Sequence, residues 1–207
     1  MERASILFFT LLPLVILARY SPFGEGLGAW AAWLLVVYLA VPLVASKALG
    51  FSLREVGIKS PNKKGLRITL ILLIFAAFLS VEGTLVPSMV AYYPRFAFDG
   101  WWGFLRGELI MGTIMLAHEA FFRGFLLFPL ARKNRWGAII AQDVPYALVH
   151  IGKPGIEIPY SLLAGIVFGW ADIEGESFVP SFLVHWIGSA FFDLLCLLAK
   201  TGHLPWI

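Results

Sequence analysis

His118-Glu119-Ala120-Phe121-Phe122-Arg123-Gly124 stands in the middle of an apolar run that reaches from about Trp101 to Leu130. A run of that length reads as one long membrane-embedded helix, since roughly 20 apolar residues cross the hydrocarbon. It carries an imidazole, a carboxylate and a guanidinium within about two turns, and each costs about 2.5–3.5 kcal/mol at the bilayer centre on insertion scales. Such groups need a partner or a task. Spacing supplies one partner: Glu119 and Arg123 are at i,i+4, acid before base, on one helix face. His118, about 100° round the helix, is expected to point at a different neighbour.

Composition agrees with a membrane setting. The 207-residue chain is 59% hydrophobic and 14% charged, with a mean hydropathy of +0.82, whereas soluble domains carry about 25% charged residues. The expected fold is all-α: a polytopic transmembrane helical bundle of about seven spans, one membrane-embedded domain over residues 1–207. The spans are Ala4–Ala18, Leu27–Ala48, Ile68–Val86, Trp101–Leu130, Trp136–Ile151, Ile158–Ile173 and Phe178–Ala199. The first is short and follows Arg3, as a signal-peptide core would. No small-x-small cleavage pattern follows it, so it reads as a retained helix kinked or started at Pro13.

Pro42 and Pro145 are expected to bend the second and fifth spans. Phe51–Arg67 reads as a polar loop, and Pro87–Trp102 as an interfacial loop with an aromatic belt. Gly165-x-x-x-Gly169 predicts a close helix–helix approach. A single cysteine, Cys196, excludes an internal disulfide framework. The net charge of +3 is spread over loops beside apolar segments, so no nucleic-acid partner is expected.

Lys and Arg counts give the orientation. The N-terminus and the 49–67 and 131–136 loops hold about ten basic residues, and the other side about four, Arg19, Arg95, Lys153 and Lys200 among them; this makes the N-terminal side cytoplasmic. The acidic loop Asp172–Glu176 adds no basic residue.

Helix rise places His118 and Glu119 about 18 Å, His150 about 20 Å and His185 about 10–12 Å from that side. Three of the chain's four histidines thus fall at overlapping depths on three helices. Such convergence points to a functional centre. The plainer alternative is a buried polar network that specifies helix packing, and for Glu119–Arg123 alone a purely structural pair remains a strong reading.

The motif His118-Glu119-x-x-Phe122-Arg123-Gly124 resembles the first motif of the CAAX-protease and bacteriocin-processing family of intramembrane proteases, Glu-Glu-x-x-x-Arg, often followed by Gly. Tyr146-Ala-Leu-Val-His150 is similar to its second motif, Phe-x-x-x-His. His185-Trp-Ile-Gly-Ser189 resembles the third, His-x-x-x-Asn. The resemblance covers about residues 100–195, with the motifs in the family's order. In this chain His118 stands for the family's first glutamate, Ser189 for its asparagine and Tyr146 for its phenylalanine.

The resemblance implies an integral protein of a prokaryotic cell membrane. It would be an endopeptidase that hydrolyses a membrane-anchored peptide or protein near one terminus. By analogy, His118 and His150 would activate the attacking water. His185 with Ser189 would face the oxyanion, and Glu119–Arg123 would fix the geometry. The residue chemistry leaves alternatives open. Three imidazoles, His118, His150 and His185, are enough to ligate zinc in an open site, although a metal-free site is the favoured expectation. Loss of hydrolysis would leave a membrane binding, immunity or scaffold protein. A transporter or proton path is a further alternative, but the sequence shows no pair of broken helices of the kind transporters use.

Overall fold

The computed structural model describes residues 2–204, which hold helices and no strand. The helices are α1 (Arg3–Leu17), α2 (Leu27–Ala48), α3 (Lys63–Gly83), α4 (Pro87–Tyr92), α5 (Gly100–Ala131), α6 (Arg135–Leu148), α7 (Glu157–Gly175) and α8 (Val179–Lys200). Each of the seven predicted runs carries a helix. Among the described residues, four helices are long and apolar enough to cross a membrane: α2, α3, α5 and α8. The first run is interrupted at Leu12-Pro13, as proline chemistry predicts. Helix α6 is 14 residues long and stops short of the predicted Ile151. Helix α3 starts at Lys63 and not at Ile68, capped by the Asn62 side chain accepting from Gly65 N–H at 2.8 Å.

Helix α5 is the hub. Of its apolar window 67% is buried inside the protein, against 22–28% for α2, α3 and α8. Its main neighbours are α2, α6 and α8, with α1 and α7 touching its second half, while α7 packs chiefly on α6 and α3. Two stretches wind as π-helix, Leu35–Ala40 in α2 and Ala120–Leu127 in α5. Each ends two residues before a proline, Pro42 or Pro129. A proline has no N–H to return to the preceding turn, so the ladder there must shift its register. The predicted bend at Pro42 therefore takes the form of a wider turn.

Charge pairs hold one end of the bundle. Arg3 and Arg132 both donate to Glu55 Oε1, at 2.8 and 2.5 Å, and Lys133 meets Glu2 at 3.0 Å. Lys59 pairs with Glu176 at 2.5 Å, and Lys64 and Arg135 both pair with Glu174. The N-terminus and the two basic loops thus share one end, as the charge count grouped them. The C-terminal end of α7 joins them because Glu174 in its last turn and Glu176 just beyond it meet their cations. Asp172, predicted in the acidic loop, lies inside α7 instead and is fully buried.

Candidate active site

The polar stretch lies where α5 changes winding. Helix α5 is α-helical through Glu119 and π-helical from Ala120, a wide turn of the kind that gathers at functional sites. Glu119 and Arg123 are both 0% exposed. Arg123 Nε is 3.3 Å from Glu119 Oε2, so the i,i+4 pair forms as its spacing predicts. Arg123 also lies over the Tyr146 ring, 3.8 Å from its centroid, with Phe168 at 5.7 Å. Charge and ring stacking hold this guanidinium, and a desolvated cation–π contact contributes about 2 kcal/mol.

The second oxygen of Glu119 faces an imidazole. His185 Nδ1, from α8, is 2.6 Å from Glu119 Oε1. A carboxylate only accepts, so Nδ1 carries the proton and Nε2 is the free nitrogen of His185. The His118 ring lies 6.2 Å from that of His185, and its Nδ1 is 4.0 Å from Glu119 Oε1. His118 therefore turns toward the same carboxylate, not to a separate neighbour as the straight-helix angle predicts. Its Nδ1 is buried and lacks a hydrogen-bond partner among the described residues. The side chains of His118 and His185 keep 13% and 18% exposure, while the ion pair beneath them is sealed.

His150 reaches the group through Tyr146. It follows the end of α6, and its Nδ1 sits 3.1 Å from the Tyr146 carbonyl, which again makes Nδ1 the donor. The Tyr146 ring is 5.1 Å from His150 and 5.5 Å from His118. Ser189 is one turn beyond His185 on α8 and is partly buried. The structure thus gathers His118, Arg123 and His185 around Glu119, with Tyr146 as the bridge to His150.

Sequence reasoning missed Tyr38. From the π-helical part of α2, its ring stacks on Phe121 at 4.3 Å and meets His118 at 5.7 Å. Phe168 also went unnoticed; it closes the far side, 5.9 Å from His185. A polar-tipped aromatic within a span was the one available signal for Tyr38, and Phe168 had none. The predicted close approach at Gly165 and Gly169 is present and faces α6. A Cβ at Gly165 would lie 1.6 Å from Asp143 Oδ1 and 3.2 Å from the Tyr146 ring, and one at Gly169 would lie 3.3 Å from Ile139. The glycine pair therefore seats the helix that carries Tyr146.

The donors that stand close enough to share a metal ion are His118, Glu119 and His185, within 4.8 Å of one another; His150 is not among them. The unpartnered His118 nitrogen suits a ligand. Two features oppose a cation: Arg123 already holds Glu119, and the contact of Glu119 with His185 is a direct hydrogen bond.

Fold and site together define a polytopic helical membrane protein with a buried His–Glu–Arg centre. Residues 100–191 match the family described as Type II CAAX prenyl endopeptidase Rce1-like, and this match supports the CAAX-protease and bacteriocin-processing family for the chain. It spans all three motifs. The family is one of proteases, which supports protease activity in a membrane, with a membrane-embedded peptide as the class of substrate. No curated protein and no solved structure matches the chain.

Proposed function

We propose that the protein is an intramembrane endopeptidase that cleaves a membrane-anchored peptide or protein near one terminus without a metal. The observation that carries this reading is the 2.6 Å contact between His185 and Glu119, backed by Arg123 and flanked by His118. Amide hydrolysis needs a base for water, a donor for the oxyanion and an acid for the leaving amine. His118 is the base: an imidazole nitrogen takes a proton from water as the water oxygen bonds the carbonyl carbon. The oxyanion then forms facing His185, whose ring Glu119 orients through Nδ1–H, with the Ser189 hydroxyl a turn away as donor. As the C–N bond breaks, His118 returns its proton to the amine. His150 borders the water from the Tyr146 side.

Reconstituted protein is expected to cleave a membrane-anchored reporter from a varied panel. His185→Ala should reduce turnover at least 10²-fold while circular dichroism stays unchanged, the scale of disrupting an oxyanion site. Full activity in that variant would overturn the mechanism.

A further inference from the structure

A second polar feature lies far from the catalytic centre. A cavity of about 820 Å³ opens between the start of α2, residues 95–99 and the first half of α5. Its apolar walls include Leu27, Trp30, Phe96 and Ile110, and two guanidiniums, Arg95 and Arg106, line it. Arg106 stands inside the membrane-length helix Gly100–Ala131. Neither arginine makes an ion pair or a hydrogen bond among the described residues; Arg95 lies over Tyr92 at 4.9 Å and Trp30 at 5.8 Å. Asp99, the one acid on the wall, pairs with neither. A guanidinium within a span seeks a counter-charge or the interface.

The surroundings say where the cavity sits. Trp101 and Trp102, at the start of α5, are 61% and 85% exposed, and Tyr92 and Trp30 lie against Arg95, as in an aromatic belt at headgroup level. Aromatic and aliphatic walls with two unpaired guanidiniums match a phosphate joined to acyl chains, since guanidinium binds phosphate oxygens in a bidentate fork. Ligand pockets run to about 300–1,000 Å³, so the cavity has room for a headgroup. Gly26 and Gly28 keep one wall open, because a Cβ at either would meet nothing within 4 Å.

We propose that this cavity binds the phosphate of an anionic glycerophospholipid through Arg95 and Arg106. Bound lipid ties residues 95–99 to α2 and α5. It sits at the far end of the α2–α5 seam whose other end is Tyr38 and His118, eleven residues along each helix from Leu27 and Gly107, or about 16 Å.

Native mass spectrometry of detergent-purified protein, exposed to equal amounts of phosphatidylglycerol and phosphatidylcholine, tests this directly. Wild type should retain one phosphatidylglycerol at least tenfold in preference. The Arg95→Gln/Arg106→Gln variant should lose that preference, and Arg95→Lys/Arg106→Lys should keep most of it. Equal retention of the two lipids by wild type overturns the proposal without reference to any variant, and so does undiminished preference in the Gln variant. If inorganic phosphate alone displaces the lipid and raises the melting temperature as much, the site is one for free phosphate, and the lipid assignment fails.

Discussion

His185 Nδ1 and Glu119 Oε1 are 2.6 Å apart although 66 residues separate them in sequence. The other oxygen of the same carboxylate faces Arg123, so one buried anion fixes two cations or donors from two helices. Glu119→Gln removes the charge and leaves the fully buried guanidinium of Arg123 uncompensated, which should cost about 3–5 kcal/mol of stability and abolish turnover. Adding Arg123→Gln should recover most of the stability and none of the activity. Unfolding of the two variants, measured against wild type, checks the coupling; additive losses would mean that the pair acts as two independent groups.

Replacing His118 by Glu restores the first motif of the family. Glutamate is a competent base for water, and Tyr38, Phe122 and Tyr146 already enclose the position. His118→Glu should therefore leave turnover within tenfold of wild type or raise it. Elemental analysis should find substoichiometric zinc in wild type, and chelators should not slow cleavage. About one zinc per chain together with chelator inhibition would favour the His118–Glu119–His185 metal site, and an inert wild type beside an active variant would identify a relative that has lost hydrolysis.

Gly165→Ala should destabilise the protein by about 1–3 kcal/mol, the range for overpacking a tight contact. The added methyl carbon would lie 2.7 Å from Asp143 Cγ as well as against Tyr146, so rotating the carboxylate does not clear it. Turnover should fall with stability because Tyr146 backs both His118 and Arg123. A thermal unfolding series with Gly155→Ala as the control is decisive, since a Cβ at Gly155 meets nothing within 4 Å.

The extramembrane end should respond to acid through Glu55. The Ser52 backbone N–H and hydroxyl, then Arg132, hold its carboxyl well below the ordinary range, at about 2. A depressed carboxyl contributes stability that is present above its unfolded value of about 4.3 and is lost as pH falls toward the folded value. Melting temperature should drop between about pH 4.5 and 2 in wild type, and Glu55→Gln should start lower and flatten that part of the profile. An identical acid profile in the two proteins would show that Glu55 does not anchor Arg3 and Arg132.

Sequence alone determined the class of fold and most of the residues at the centre, because hydropathy and helical spacing are local. A helix rich in apolar residues must be satisfied within itself in lipid, and the i,i+4 interval already brings Glu119 to Arg123. The three motifs marked His150, His185 and Ser189 by resemblance to a family, not by any contact that a linear pattern encodes. Which groups touch was a tertiary decision. His118 and Glu119 share one neighbourhood because the packing of α8 sets His185 beside both. The end of α6 at Leu148 leaves His150 behind Tyr146. Tyr38 enters the site only because α2 winds wide before Pro42 and packs against α5. The folded bundle likewise sets Arg106 and Arg95 on the lining of one cavity. Those pairings depend on how helices distant in sequence pack, and helix packing is decided by side-chain shape across the whole interface.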